Sequence, residues 1–434
     1  MTKLDLRPPE SQGRTFTGAL HGVRRLRSRA RDVRTLGCVL GVVLSAGACS
    51  DEPAGPPTTV TEGPGETRVV THRPEWSDVR DLVLEEVAVF ASDEAEGVFL
   101  SQVRAGVVLD GGGVALLDGR ARQLIEYTSD GQVRRVLGGN GDGPGEFRNP
   151  RSLTLLTKDS LAVFDLRANR LTVFGADSDI PTIHALPSDV YSLPPNDLWV
   201  HPDGSWVTFE GNRREAAPLA RGPDGSTVGA LAVVRRLAFD GSGLDTLYAE
   251  GIASEMFVRG DMLLLLPFAR STRVDATEGV LAIAASEGFR VRRFGPGETA
   301  MDLTMPSRNL PLDPVELDRL RDSIRALTVE AGVPFLAEAT FHPDLQPASR
   351  PAFSGIRVAP DGRVLVREFE ALGRRSSVWW LVSAAGRFQG RVRLPEATDV
   401  LQFNGEDMLI VSRDALDVPT VAIVRIDWLG TTGR

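Results

Sequence analysis

A fourteen-residue phrase that occurs twice constrains the fold more than any other feature of this sequence. The two copies, Val114–Tyr127 and Leu161–Phe174, lie 47 positions apart and align without a gap. Five of the fourteen positions are identical, and most of the others keep their apolar or polar character. Each copy has an apolar run, a polar turn that begins with Asp118 or Asp165, and a second apolar run. Strands and turns that repeat about every 40–50 residues are typical of the blades of a β-propeller.

Turn-forming sequences continue along the chain. A glycine cluster at 138–145 precedes the second copy and is too rich in glycine for a helix or a strand. Pro-Asp-Gly recurs at 202–204, 223–225 and 360–362, each time beside an apolar run. This alternation indicates consecutive antiparallel hairpins. Further blade-like units are expected at 198–209, 262–294, 353–382 and 400–428.

One segment has a helical pattern instead. Asp313 is suited to an N-cap, Pro314 to the first helical position, and Glu316 to the third. Apolar residues then recur at helical spacing, at Leu317, Leu320, Ile324 and Leu327. Gly332 and Pro334 end the pattern, so we predict an inserted helix over about 313–331. It either packs on the rim of the propeller or serves as a lid or a partner-docking helix.

The motifs around the second copy resemble a known repeat. Gly-Gly-Asn-Gly-Asp-Gly-Pro-Gly-Glu-Phe-x-x-Pro at 138–150, an apolar strand ending in Asp165, and Asn-Arg-Leu-x-Val-Phe at 169–174 resemble the NHL repeat. More closely, they resemble the six-bladed β-propeller lipoproteins of high-GC bacteria, best over about 98–175. The resemblance implies an all-β, six-bladed β-propeller over 76–434, with seven blades as the alternative. It implies no particular ligand or reaction, because one propeller scaffold hosts many activities.

The N-terminal segment predicts export and lipid attachment. An apolar run of 13 residues, Leu36–Ala48, is too short to span a bilayer and fits the apolar region of a signal peptide. Small residues then precede Cys49, which is similar to a bacterial lipobox, although Ala46 stands where leucine is usual. We therefore predict a lipoprotein signal peptide over 1–48 and Cys49 as the lipid attachment site, on the membrane surface of the cell envelope. Alternatives are a plain secretory signal, an inner-membrane anchor, a twin-arginine signal at Arg24-Arg25, or a start codon further downstream.

Residues 49–75 begin with a stretch rich in proline, glycine and threonine, and are predicted to be a flexible tether. The chain carries a formal net charge of −9, and because residues 1–48 carry +6, the remainder carries −15. This acidic body argues against a nucleic-acid partner. The only cysteines are Cys38 and Cys49, so the body has neither a disulfide nor a thiolate metal site. The partner expected for this presumed monomer is an envelope protein or a small ligand, with membrane contact through the lipid.

No pattern in the body announces catalysis. The glycine cluster lacks the Lys-Ser/Thr of a phosphate loop and reads as a turn between blades. Asp118 and Asp165, with Arg120 and Arg167 two residues later, are better explained as a repeated turn-stapling motif than as a catalytic pair. The five histidines have no metal-ligand spacing. Trp379-Trp380 should place one ring in the core and the other on the rim or the channel wall, since adjacent strand residues face opposite sides.

The sequence therefore predicts a binding or interaction scaffold without a cofactor, for which no catalytic or metal-binding residue is assigned. The alternative is a metal-dependent hydrolase of the lactonase type. Its metal would lie in the central channel, held by Glu, Asn and Asp side chains from different blades.

Overall fold

The structure, a computed structural model, describes residues 58–428 apart from short gaps. The gaps are 63–67, 73–79, 94, 158–159, 177, 187–196, 201–204, 223–224, 238–243, 260–261, 278, 296–299, 306–310, 331–336, 338–339, 342–345, 348 and 370–377. Every described residue belongs to one compact unit within 54–434, the second of the two units of the chain. The predicted signal peptide and Cys49 lie outside the described residues and remain predictions.

The second unit is an all-β propeller that carries one long helix, as predicted. Three strands come first: β1 (Thr58–Glu62), β2 (Arg68–His72) and β3 (Asp81–Phe90). The next strands form blade 1, β4 (Val103–Val108), β5 (Val114–Asp118), β6 (Gln123–Tyr127) and β7 (Val133–Gly138), and blade 2, β8 (Pro150–Thr157), β9 (Ser160–Asp165), β10 (Arg170–Gly175) and β11 (Thr182–Ala185). Blade 3 consists of β12 (Asp197–Val200), β13 (Trp206–Gly222), β14 (Gly225–Leu237), β15 (Leu244–Arg259) and β16 (Met262–Leu265).

The remaining blades follow in the same manner. Blade 4 consists of β17 (Thr272–Thr277), β18 (Val280–Ala285), β19 (Phe289–Phe294) and β20 (Met301–Met305). The helix α1 (Pro314–Glu330) comes next. Blade 5 is β21 (Gly355–Val358), β22 (Val364–Arg367), β23 (Val378–Val382) and β24 (Phe388–Arg393), and blade 6 is β25 (Asp399–Phe403), β26 (Asp407–Arg413) and β27 (Pro419–Asp427). These six sets match the expected number, while the blade count itself stays a prediction because part of the chain between them is not described.

The strand β3 closes the propeller. It pairs antiparallel with β27, from Val83 opposite Asp427 to Phe90 opposite Val421, and so supplies the fourth strand of blade 6. Its first residues, Asp81 and Leu82, also pair in parallel with β24 of blade 5. An early segment of the described chain is thus held in the same sheet as the last strand.

The first strand of each blade is the innermost one, and side chains join these strands from blade to blade. Five successive bonds are described: Val358 N to Asp275 Oδ2 at 2.7 Å, Arg357 Nε to Val400 O at 2.8 Å, Val108 N to Gln402 Oε1 at 2.7 Å, Arg104 Nη1 to Pro150 O at 3.3 Å, and Ser152 Oγ to Leu198 O at 2.7 Å. They connect blade 4 to 5, 5 to 6, 6 to 1, 1 to 2 and 2 to 3. A chain of contacts in this order is what a closed ring of blades requires.

Apolar layers between adjacent blades form the core. Between blades 6 and 1, for example, Leu116 and Ile125 pack with Leu409 and Val421. Each such fully buried side chain contributes about 1.5–3 kcal/mol relative to exposure. Trp379 and Trp380 are both buried, with exposed fractions of 1% and 8%, so neither ring is free for the rim or channel position predicted for one of them.

Two additions lie at the same end of the propeller. Because neighbouring strands alternate in direction, the connections between blades and the turns between second and third strands share one end, which we call the turn face. At blade 3, the pairing of β13 with the inner strand β12 ends at Phe209, which lies opposite Val234 of β14. The nine residues of β14 before Val234, 225–233, extend beyond this point. At about 3.3 Å per residue this gives an arm of roughly 30 Å. Together with the adjoining parts of β13, β15 and β16, we call it the blade-3 arm.

The second addition is the connection from β20 to β21, which contains α1 and starts and ends at the turn face. The helix begins as predicted, with Val315 N donating to Asp313 Oδ1 at 3.0 Å. Glu316, however, binds Arg350 instead of reaching back to the N-cap. The exposed fraction of Val315 is 55% and that of Val329 is 57%, so part of the helix surface faces solvent.

Part of the expected tether is strand. β2 pairs in parallel with β20, with Val70 opposite Leu303. Val70 is 1% exposed and belongs to a core cluster with Leu303 and Phe353. The apolar pair Val69-Val70 thus lies in an outer strand of blade 4. The whole range 49–75 was predicted to be a flexible tether because its first part is rich in proline and glycine.

Candidate functional site

The turn face of blades 1 and 2 is organised by the two repeated aspartates. The carboxylate of Asp118, which is 0% exposed, accepts four backbone N–H groups. Ser101 N at 2.6 Å and Gln102 N at 2.9 Å bind Oδ2, while Arg120 N at 2.9 Å and Ala121 N at 2.8 Å bind Oδ1. Burial alone would raise the pKa of Asp118, but the hydrogen bonds from Ala121, Ser101 and Gln102 outweigh it and hold the pKa below its ordinary value.

Asp165 repeats the same arrangement in blade 2. It accepts Arg148 N at 2.6 Å and Asn149 N at 3.0 Å from the segment before β8. It also accepts Arg167 N and Ala168 N, each at 3.0 Å, from its own turn. The predicted stapling role is therefore confirmed for both aspartates: each ties the entry of an inner strand to the turn between the second and third strands. The arginines two residues later contribute their backbone N–H groups to the staple.

The glycine cluster is a turn between blades, as predicted. It leads from β7 to β8, and Phe147 N donates to Gly139 O at 2.7 Å across its base. Arg170 from blade 2 holds its carbonyl groups, with Nη2 bound to Gly143 O at 2.9 Å and Glu146 O at 2.7 Å. The Glu146 carboxylate accepts Gly143 N at 2.7 Å, so this N–H group is directed at the protein's own side chain.

The mouth of the channel at the turn face is bordered by arginines from the inner strands. Arg104 is the second residue of β4, and Arg151 is the second residue of β8. The Arg104 guanidinium is fixed by Gln102 Oε1, by Asn149 Oδ1 at 2.9 Å and by Pro150 O at 3.3 Å. Burial first, and the neighbouring charge of Arg151 second, lower the pKa of Arg104. Two cations are thus held side by side where blades 1 and 2 meet.

The opposite side of the mouth is electrically balanced. Arg367 of β22 pairs with Asp399, the first residue of β25, and its guanidinium carbon lies 4.4 Å from the ring centroid of Trp379. Arg357 lies 3.8 Å from Asp275. Both of these arginines are therefore paired with aspartates.

A cleft of about 520 Å³ lies at the other end of the propeller, between blades 1 and 2. Glu126, which is 1% exposed, is among its lining residues. Its Oε1 accepts Arg135 Nε at 2.8 Å, and Arg135 Nη2 donates to Gly175 O of blade 2 at 2.9 Å. This carboxylate stands where the repeat in blade 2 has Val173. Through Arg135, the Glu126 carboxylate thus links blade 1 to blade 2.

A metal-dependent lactonase would need oxygen donors from several blades to converge in the channel. Among the described residues, no group of three or more His, Cys, Asp or Glu side chains converges on one point. On the described inner strands, Asp275 and Gln402 instead bind backbone groups of the next blade. The residues present in this part of the chain therefore do not fit a carboxylate-held metal. Within the same part, no helix is long and apolar enough to cross a membrane.

The inner-strand arginines were missed by the reasoning from sequence, although a signal was present. Arg104 and Arg151 are separated by the same 47 residues as the two aspartates. They fall just outside the matched phrase, before the first apolar run, and their position on innermost strands becomes evident only when the blades are assembled.

These features define the class of protein: a β-propeller with a stapled turn face. No protein-family model and no curated protein matches the sequence. Solved propeller structures are similar only at a distance. An inferred exported protein from Bacteroides fragilis is 12% identical over 83% of this chain and 99% of its own, with a TM-score of 0.47. A gluconolactonase from Xanthomonas campestris is 14% identical over 87% and 100%, with a TM-score of 0.40. Virginiamycin B lyase from Staphylococcus aureus is 10% identical over 80% and 100%, with a TM-score of 0.42. Similarity at this level carries no argument about activity.

Proposed function

We propose that this protein is a lipid-anchored β-propeller of the cell envelope, similar to the NHL-like lipoproteins, that binds a protein or a small ligand at its turn face without catalysis. Cys49 is the proposed anchor, and 1–48 the proposed signal peptide. Because the proposed signal peptide directs export, the lipid is proposed to insert on the outside of the cell membrane.

The observation that carries this proposal is the placement of the two additions to the propeller. The blade-3 arm and the helical connection before blade 5 both begin and end at the turn face. Additions to a repeat fold that gather on one face commonly mark its binding face. On the same face, Arg104 and Arg151 lie at the start of the inner strands of blades 1 and 2.

Catalysis is not needed to explain the polar side chains of this region. The staple carboxylates bind backbone N–H groups, and several inner-strand side chains are occupied in joining blades. The alternative is a lactonase whose metal lies in the channel. Metal analysis of the purified protein and a lactone-hydrolysis assay separate the two proposals. A stoichiometric bound metal together with hydrolysis would replace the binding proposal with the enzymatic one.

The binding face can be tested by photo-cross-linking in the producing cells. A photoreactive residue replaces Arg120, which is exposed on the turn face, or Arg387, which is exposed on the opposite face in the turn between β23 and β24. We expect a discrete adduct from position 120, either to a protein or to a small molecule detected by mass spectrometry.

Position 387 is the matched control, since it is also an exposed arginine in a short turn. Adducts of equal yield and identity at both positions, or none at position 120, would contradict binding at the turn face.

A further inference from the structure

The structure assigns an oxyanion site to the channel mouth between blades 1 and 2, where Arg104 and Arg151 would hold a carboxylate or phosphate group of a small ligand. This inference rests on the proposed binding function and specifies the chemistry of its ligand.

Arg104 and Arg151 lie at matching positions in neighbouring blades. They occupy equivalent positions, each the second residue of an inner strand, so they lie at the same level of the turn face where β4 and β8 are neighbours. The Arg104 guanidinium contacts Asn149 Oδ1 and Pro150 O, the two residues directly before Arg151, so the two cations lie near each other. Like charges held near each other are costly in a folded protein, and an anion between them removes that cost.

The second argument is that one arginine is fixed and the other is available. Arg104 is anchored at Gln102, Asn149 and Pro150, and it lies against Gly119, where a Cβ would come within 2.1 Å of its Nε. Glycine at position 119 therefore leaves the space that Arg104 occupies. By contrast, no described residue forms a hydrogen bond or an ion pair with the Arg151 side chain, which is half-buried.

The third argument is the local charge. The segments nearest the two arginines (99–104, 118–122, 138–151 and 165–170) contain seven arginines and four acids, while the start of the connection before β4, 91–98, adds Asp93, Glu94 and Glu96. All four acids are engaged within the protein: Asp118 and Asp165 in the staples, Asp142 with Arg148, and Glu146 with Gly143 N. The excess of positive charge is thus confined to the segments next to Arg104 and Arg151. Guanidinium groups bind carboxylate and phosphate through paired, charge-assisted hydrogen bonds, which favours an oxyanion over a neutral ligand.

The test is calorimetric titration of the purified protein with inorganic phosphate and, separately, with succinate. We expect saturable binding of at least one probe, and the preferred probe distinguishes a tetrahedral from a planar oxyanion. Arg151→Gln should weaken that binding by about tenfold to a hundredfold, the effect of removing a hydrogen bond to a charged group. Arg387→Gln, which removes an exposed arginine from the opposite face, should bind as the wild type does.

Melting curves of both variants show whether they remain folded, and Arg151→Lys, which keeps the charge, should bind more tightly than Arg151→Gln. The inference is overturned if the wild-type protein binds neither probe saturably, or if Arg151→Gln binds as the wild type does. In either case an adduct at position 120 would still support the binding face, so the failure of this inference is distinguishable from failure of the proposed function.

Discussion

Replacing Asp118 with alanine tests the staple that organises the turn face. The change removes the acceptor of four backbone N–H groups and leaves them dependent on water. A hydrogen bond to a charged group contributes about 1.5–3 kcal/mol, while the burial cost of the carboxylate is regained when it is removed. Because the low pKa of Asp118 means that the bonds outweigh burial, we expect a net loss of about 2–4 kcal/mol, measured by urea unfolding at pH 7.

The structure also predicts how this loss combines with that of Asp165→Ala. Gln102, held by Asp118, accepts Arg104 Nη2 at 3.2 Å, and Arg104 Nη1 reaches Asn149, whose N–H donates to Asp165. The two staples therefore belong to one network. The double variant should lose about 1 kcal/mol less than the sum of the single losses, as is usual for connected residues.

Asp130→Ala is the control within blade 1, since Asp130 is exposed in a turn of the opposite face, and it should change the stability by less than about 0.5 kcal/mol. Asp118→Asn keeps the shape of the side chain but replaces the carboxylate with an amide, and the NH2 end of the amide would face backbone N–H donors. It should lose a large part of what the alanine variant loses. If neither alanine variant changes the free energy of unfolding, the stapling role is refuted. If the losses of the two single variants add up to that of the double variant, the connection through Arg104 is refuted.

The remaining predictions concern four separate features. Cys49→Ala should abolish palmitate labelling and detergent partitioning of the cell-made protein, and unchanged behaviour would reduce the proposal to secretion. Deletion of Leu312–Gly332 with a short Gly/Ser closure should keep strand content and cooperative melting nearly intact, as judged by circular dichroism, whereas loss of cooperativity would place the helix in the core. The pKa of Asp118 is lowered in the folded state, so its stabilising effect is present above the unfolded pKa of about 4 and is lost as the pH falls through the folded pKa. The difference in unfolding free energy between wild type and Asp118→Ala should therefore shrink below about pH 4. Arg293, 5% exposed, donates to Gly362 O at 2.6 Å and Ala384 O at 2.8 Å, so Arg293→Met should cost about 2–4 kcal/mol in urea unfolding, against less than about 1 kcal/mol for a change at the exposed Arg393.

The sequence was sufficient for the fold class and for the role of the repeated aspartates. Both depend on local patterns, since the order apolar run, Asp turn, apolar run is complete within fourteen residues. The helix start at Asp313 could be predicted for the same reason. The partner of Glu316 could not, because Arg350 lies 34 residues away.

The candidate site depends on contacts between blades, and a single sequence does not contain them. Arg104 and Arg151 are ordinary polar residues until β4 and β8 become neighbours around the channel. Strand alternation alone predicted that one ring of Trp379-Trp380 lies at the rim or the channel wall, yet both rings are buried. In β2, Val69 and Val70 are too few to outweigh the surrounding proline and glycine, and pairing with β1 and with the edge of β20 makes them a strand.

The closure through β3 has a consequence for biosynthesis. Val83 pairs with Asp427, a residue 344 positions later, so this sheet cannot form until the chain has been synthesised as far as β27. Contacts of such long range form slowly, since a large loop must close before any of its pairing is gained. A product truncated before β27 would leave the antiparallel edge of β3 without its partner, and an open edge of this kind invites aggregation or proteolysis. The nine residues of β27 are thus required for closure, since only chains synthesised through Asp427 reach a protected, closed ring.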